Sequence, residues 1–469
     1  MTYDNRINRR IVLSGLAAST FLASCQPAAR SFDADVIILG AGLSGLYAAY
    51  ILAREGRKVL ILEGSDRIGG RMHTIYHNGY HTEGGGEQIG ASYARLIDRA
   101  QTLEIDLQPS NRPRNGPCYY YQDHLYSSED WQTYAAHPLN GPFKGGSPSR
   151  AFFGFAGPIN PLKHAGDWRN PDHANFDISA EKFLLGHEVD RNGLAYIDQA
   201  LNANALNSYS MMNVYRTLFL FNHSRSMGPS LYVKGGVQSL MNAMAKGHEI
   251  KTNQKVSQIE VTNNAVEILT EKGQIFRAAH CICALPFGAL RQVKIKAALN
   301  TRQKEAINNL PYTQILQIHF EVEKPYWEID QKAADMWTDL PMERVFANQT
   351  LDGDYTGLAR MWINGTGAAH LNSKSDAEIS DLARSWMQKV RPDAGKINVY
   401  HIQRWTRSNP LAGGAYMHWG PGQIGQWADQ MGEPSANLYF CGEHLSHLHT
   451  GMEGAMESAE IAAFRLLDN

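Results

Sequence analysis

Charge is scarce in these 469 residues: Asp, Glu, Lys and Arg make up 19 %, below the roughly 25 % of an ordinary soluble chain. Its 44 basic and 46 acidic residues leave a net charge of −2. No basic stripe stands ready for a polyanion, which excludes nucleic acid as a partner. Cysteine is nearly absent. Five residues are too few for a disulfide framework, and Cys281 and Cys283, alternating along an apparent strand, match no metal or redox spacing. They read as buried free thiols. No segment recurs at about 20–50 residues, which excludes solenoids and propellers. The 42 glycines show no three-residue period, which excludes collagen, and an aromatic content of 10 % excludes disorder. At roughly 150 residues per domain, the length predicts two or three domains around a large core.

Arg9 and Arg10 stand directly before an apolar run, Ile11 to Ala23. The run is too short to cross a ~30 Å hydrocarbon core as a helix and has the length of a signal-peptide core. Leu22-Ala23-Ser24-Cys25 resembles a bacterial lipoprotein cleavage box. The expectation is twin-arginine export, a route that carries proteins across already folded. The product would be periplasmic, or held on the exported side of the membrane only through a lipid at Cys25. The alternative is an ordinary signal peptide in which Cys25 falls by chance. Residues 1–32 are set apart from the fold.

The mature chain opens with a short β-branched run, Asp35 to Leu39, read as a buried parallel strand. Gly40-Ala41-Gly42-Leu43-Ser44-Gly45 follows at once, then helical spacing from Leu43 to Glu55, then a second strand, Lys58 to Leu62, with Glu63 at its tip. A lone G-x-G-x-x-G is weak; between strand and helix, with an acid after the second strand, it points to a dinucleotide. Gly40 allows the tight turn, Gly42 lets the backbone approach a pyrophosphate, and Gly45 lets the helix pack close to the strand. Leu43 and Ser44 open the helix whose N-terminus faces the phosphates. Glu63 is placed to accept from ribose hydroxyls. Arg67, Gly69, Gly70 and Arg71 exceed what a nicotinamide site needs: a second close backbone approach, with forked donors for a pyrophosphate.

These motifs, with Glu83-Gly84-Gly85-Gly86-Glu87-Gln88-Ile89-Gly90, the C-terminal Cys441-Gly442-Glu443-His444 and Gly451-Met452-Glu453-Gly454-Ala455, resemble the flavin-dependent amine oxidase family in the family's order. Middle-chain matches are Val233 to Gly236, Ala284 to Pro286, Lys324 to Trp327, and Trp405 with Gly413 to Tyr416. The resemblance implies an α/β (α+β overall) fold, a Rossmann-like FAD-binding domain interleaved with a mixed-sheet plus helical substrate domain. The first would take 33–110, 232–290 and 431–469, the second 111–231 and 291–430. It implies that FAD is held by Gly40 to Gly45, Glu63, Arg67, Gly70, Arg71, Gly86 and Glu87, by backbone at Val256, and by Trp405, Gly442, Glu443, Gly451, Met452 and Ala455. Within the second region, 111–175 reads as loops, Phe176 to Phe221 as helical, and Asp376 to Val390 as an amphipathic helix. Lys251 to Ala284 reads as strands.

Departures from the family pattern shape the chemistry. Ten residues before Trp327, where many members carry a lysine linked to reaction with oxygen, stands Gln317, a neutral amide that can hold a water. The electron acceptor could then be O2 or a periplasmic redox carrier. Ala415, before the ring of Tyr416, replaces a flavin-attaching cysteine, so FAD should be non-covalent. Tyr416 fits one wall of an aromatic cage and Gly451 leaves the other open. Gln88 replaces the arginine that binds an amino-acid carboxylate. Glu87 would favour a cationic substrate group, or would only pair with flavin-site donors or a nearby arginine. His444, His447 and His449 have metal-like spacing, but they interrupt a flavin motif; no metal is expected, and His449 is placed in the substrate pocket. His73, His77 and His81 read as solvated or structural. Gln317, Trp405 and Tyr416 are the expected catalytic group. The reading is oxidation of a C–N bond of a small-molecule amine by hydride transfer to flavin N5, giving an imine that hydrolyses to a carbonyl compound. The alternatives are an L-amino-acid oxidase, a C–C desaturase, and a non-catalytic flavin-binding subunit.

Overall fold

The structure is a computed structural model, described for residues 31–109, 116–199, 201–262 and 264–468. The export segment and Cys25 lie outside the described residues. Among those described, no helix is long and apolar enough to cross a membrane.

The run Ala34–Leu39 is the central strand of an eight-stranded sheet, parallel to both Ile275–Cys283 and Val59–Leu62. Covered on both faces, its Val36, Ile37, Ile38 and Leu39 are fully buried, which is why it reads as an unbroken β-branched run rather than an alternating one. The helix Leu43–Arg54 leaves its edge and packs on the C-terminal helix Gly451–Leu467. The sheet also takes in Glu249–Lys251, Val256–Val261, Val266–Thr270 and Leu438–Phe440. Lys294–Lys296 pairs with Val256–Val261, so this sheet extends past the boundary expected at 290.

A seven-stranded sheet forms the second layer, in the order Ile397–Trp405, Ile315–Val322, Tyr355–Asn364, Arg344–Gln349, Met336–Thr338, Cys118–Tyr121, His124–Tyr126. Alternation along Ile315–Val322 splits its side chains between two faces. Leu316, Ile318 and Phe320 join a core closed by Ile379, Ala383 and Met387 of the helix Asp376–Val390. That helix begins at a capping box, Ser375 with Glu378, and has the bounds that its sequence predicts. Ile315, Gln317 and His319 face the other way, where His319 meets Thr82 of the hairpin formed by His73–His77 and Tyr80–Gly85.

Two expectations need correction. The segment 111–175, read as loops, holds two strands of the second sheet and the helices Ser128–Thr133 and Pro148–Ala156. Aromatic packing holds these short elements: Trp131 is fully buried and stacks on Tyr119 at 4.9 Å. The stretch 176–221 is helical only in pieces, Ala180–Gly186, Arg191–Asp198 and Met211–Met227. Each piece restarts at a polar cap, Ser179, Asp190 or Ser210, whose oxygen accepts from the first turn.

One position is predicted to be intolerant of a single methyl. A Cβ on Gly45 would lie 2.0 Å from the Gly40 carbonyl oxygen and 3.3 Å from Ile38 Cγ2. Gly45→Ala should cost about 2 kcal/mol in urea unfolding, despite alanine's better helix propensity. Unchanged stability would mean that the turn is not fixed by this contact.

Candidate functional site

One cavity of about 540 Å³ runs from the glycine turn at Gly40 to the wall of the second sheet at Gln317 and Tyr416. Gly40 has φ +100°, a conformation open to glycine. Gly42 caps the helix in extended backbone, so Leu43 and Ser44 present the helix start to the cavity. The Gly69 N–H donates to the Ala41 carbonyl at 2.8 Å, drawing in the second glycine pair. A Cβ on Gly70 would stand 3.3 Å from the Gly42 Cα. Glu63 ties the edge together: it accepts from the Ala41 N–H at 2.7 Å and from the Ser65 N–H at 2.8 Å and hydroxyl at 2.9 Å.

The arginines of this end are partly engaged by protein. Arg67 donates to the carbonyls of Gly70 at 2.7 Å, Ile68 at 3.3 Å and Met72 at 3.4 Å. It therefore holds the loop's shape while lining the cavity. Arg71 donates to Glu443 at 2.8 Å, and the same Glu443 oxygen accepts from the Met417 N–H at 3.1 Å. Gly86, Val256, Met452 and Ala455 also line the cavity. Gly45 and Gly442 do not; Gly45 acts from behind, by helix–strand contact.

The other end is built by three neighbouring strands. Gln317 pairs across the sheet with Trp362 on one side and Gln403 on the other. All three line the cavity with Ile315, Trp405, Ala415 and Tyr416. Trp405 is fixed by its indole N–H, which donates to the Gly84 carbonyl at 2.6 Å. Tyr416 is 43 % exposed, and the space it meets is the cavity. Gly451 starts its helix at φ +57°, and a Cβ there would lie 3.8 Å from the Tyr93 hydroxyl. Tyr93 thus stands beside the open wall, a residue that the sequence reading missed.

Glu87 lines the cavity beside Gln88 but is ion-paired with Arg360, whose other nitrogen donates to the Glu83 carbonyl at 2.9 Å. The pairing with a nearby arginine expected as one role of Glu87 is present, and it balances the charge within the wall. His449 is not brought to the cavity: its N–H donates to Glu457 at 2.9 Å and its carbonyl accepts from Arg216 at 2.6 Å. Glu457 takes the N–H groups of His447, Leu448 and His449 and the Ser446 hydroxyl. Burial pushes this carboxyl up, but those donors outweigh it and hold it below the usual range. Arg216 gathers the carbonyls of Ser446, His447 and His449 from the other side. This clamp sets the loop that delivers Gly451 and Met452. Its members carry no local motif. His444 is buried against Phe287, and burial pushes its imidazole down to about 3. Among the described residues no cluster could hold a metal ion. His73, read as solvated or structural, lines the cavity instead.

The cavity fits a flavin dinucleotide: a glycine cradle too tight for side chains, a helix start for phosphate, an acid at the second strand's tip, and a flat aromatic and amide wall at the far end. A family model described as flavin containing amine oxidoreductase matches residues 43–467. The flavin-dependent L-tryptophan oxidase RebO of Lentzea aerocolonigenes is 24 % identical, with 92 % of this chain and 98 % of that protein covered. Polyamine oxidase 4 of Oryza sativa subsp. japonica is 25 % identical, over 92 % and 87 % of the two chains. A putrescine oxidase solved with bound putrescine superposes with a TM-score of 0.75 at 20 % identity, covering 93 % of this chain and 99 % of that one. Cyclohexylamine oxidase from Brevibacterium oxydans gives 0.74 at 19 % over the same shares.

Glu83 sits behind this wall and makes stability depend on pH. Burial, chiefly, raises its carboxyl from 4.5 to about 8, against hydrogen bonds from Thr74 and the Val237 N–H. Between those values the folded protein holds a proton that the unfolded chain releases, so stability falls as pH rises through that window. Glu83→Gln should flatten the pH dependence of denaturant unfolding between pH 5 and 8; an unchanged slope would contradict the assignment.

Proposed function

The chain belongs to the flavin-containing amine oxidoreductase family, and from that premise we propose that it oxidises the C–N bond of a small amine bound uncharged between Tyr416 and the Gln317–Trp362–Gln403 wall. The protein is an FAD-dependent enzyme that acts on amines. FAD held along the glycine turn would supply a hydride acceptor for the carbon beside nitrogen, and hydrolysis of the resulting imine would give a carbonyl compound and an amine or ammonia. The observation that carries the site assignment is the convergence of Gln317, Trp405 and Tyr416 on the cavity that begins at the glycine turn.

The protein's own part is to bind, orient and exclude water. Trp405, locked to the Gly84 carbonyl, and Tyr416 bound an apolar slot. Glu87 and Glu443 are each paired with an arginine, which favours an uncharged amine over a cation. Gln88 on the wall has no guanidinium with which to fork a carboxylate, so amines are favoured over amino acids. Ala415 has no nucleophile for a flavin bond, which supports non-covalent FAD. We assign the electrons to an acceptor other than O2, because Gln317 supplies no positive charge to a forming superoxide. The twin arginine and the Cys25 box support export with a lipid anchor at Cys25.

Three outcomes check this reading. With an artificial acceptor and a panel of monoamines, diamines and L-amino acids, an amine should yield carbonyl product in step with acceptor reduced; product from amino acids alone would overturn it. Acid precipitation should release the yellow chromophore from the pellet. Gln317→Lys should speed reoxidation of the reduced enzyme by O2 at least tenfold, an effect of about 1.4 kcal/mol in the barrier, and unchanged stopped-flow traces would refute the acceptor assignment.

A further inference from the structure

Two amides on the cavity wall are turned the same way by histidines behind them. Gln317 and Gln403 are direct cross-strand partners, so their side chains stand side by side on one face. The Gln317 Oε1 lies 3.0 Å from His319 Nε2, and the Gln403 Oε1 lies 2.9 Å from His73 Nδ1 and 3.2 Å from His401 Nε2. An amide oxygen only accepts, so each of these imidazole nitrogens carries a proton. The far nitrogen of His319 meets the Thr82 hydroxyl at 2.9 Å, and Thr82 meets the Tyr400 hydroxyl at 3.3 Å. The chain is consistent in one direction: Tyr400 donates to Thr82, Thr82 to His319, and His319 to Gln317. Burial disfavours the charged form of all three histidines. With both carbonyl ends occupied, the amide nitrogens are left for the cavity, and neither has an acceptor among the described residues.

We propose that Gln317 and Gln403 form a paired donor site for an uncharged oxygen acceptor, with His319, His73 and His401 as positioning residues that fix both amides. A ligand oxygen, such as the carbonyl of the product, meets two N–H donors. A cation, having nothing to accept with, meets two donor dipoles of the wrong sign. This rests on the reading above only for the identity of that carbonyl; the donor pair itself is a property of the wall.

The test uses two probes that are not turned over, each titrated into FAD-loaded protein and followed by the difference spectrum of the flavin. Benzaldehyde offers an uncharged oxygen; benzyltrimethylammonium offers a fixed positive charge. Wild-type protein should prefer the aldehyde. Gln317→Glu, close to isosteric, should weaken the aldehyde about tenfold, as loss of one net hydrogen bond implies, and should bring in the cation. His319→Phe should lose most of that preference by freeing the amide to turn, and His319→Gln, which restores an N–H donor to Gln317, should recover it. General loosening of the wall would weaken both probes together. The donor pair is overturned if the preference is the same in wild type and Gln317→Glu, or if wild type favours the cation. If no amine reduces the flavin while the probe pattern holds, the amine reading fails and the donor pair stands.

Discussion

A side chain on Gly70 would lie 3.3 Å from the Gly42 Cα, and one on Gly45 would meet the Gly40 carbonyl at 2.0 Å. The site depends on this close backbone approach. It presses the start of the first helix against the glycine pair after the second strand, so that backbone N–H groups, rather than side chains, form the cavity floor. Glu63 makes the approach rigid by accepting from Ala41 and from Ser65 at once. A buried carboxylate left without those donors would be costly, so the acid that faces the ligand also holds the turn that faces it.

The rest of the cavity is arranged around balanced charge. Arg71 answers Glu443, Arg360 answers Glu87, and Arg216 and Glu457 clamp opposite sides of one loop. The first two pairs join segments far apart in sequence and leave the adjoining wall close to neutral, while the clamp fixes the loop that delivers Gly451 and Met452. What remains for a substrate is aromatic surface and amide dipoles. That suits an uncharged amine better than an ammonium, because the carboxylates of Glu87 and Glu443 at this end are already paired with arginines.

Legibility in the sequence followed the range of the interactions. The turn at Gly40, the acid at Glu63 and the helix Asp376–Val390 are local patterns, set by spacing, strand–helix order and a capping box. The serine and aspartate caps that break 176–221 were equally local, but they look like polar positions on a continuous helix. The pairs Glu87–Arg360 and His449–Arg216 depend on the register of strands and helices brought together only by folding. The same is true of Gln403 beside Gln317. The family resemblance marked Gln317, ten residues before Trp327, yet nothing near Gln317 could say which way its amide turns, since His319 and Thr82 decide that across two sheets.

The central claim is that the carbon beside the amine nitrogen surrenders its hydrogen to a flavin held in this cavity. Anaerobic stopped-flow bleaching of the FAD-loaded protein, with a reactive amine and its α-dideuterated form, tests it most directly. The account predicts full bleaching by both, slower with deuterium by a factor of several. Equal rates for the two amines at saturating amine, where binding does not limit bleaching, would contradict it, as would bleaching by no amine at all.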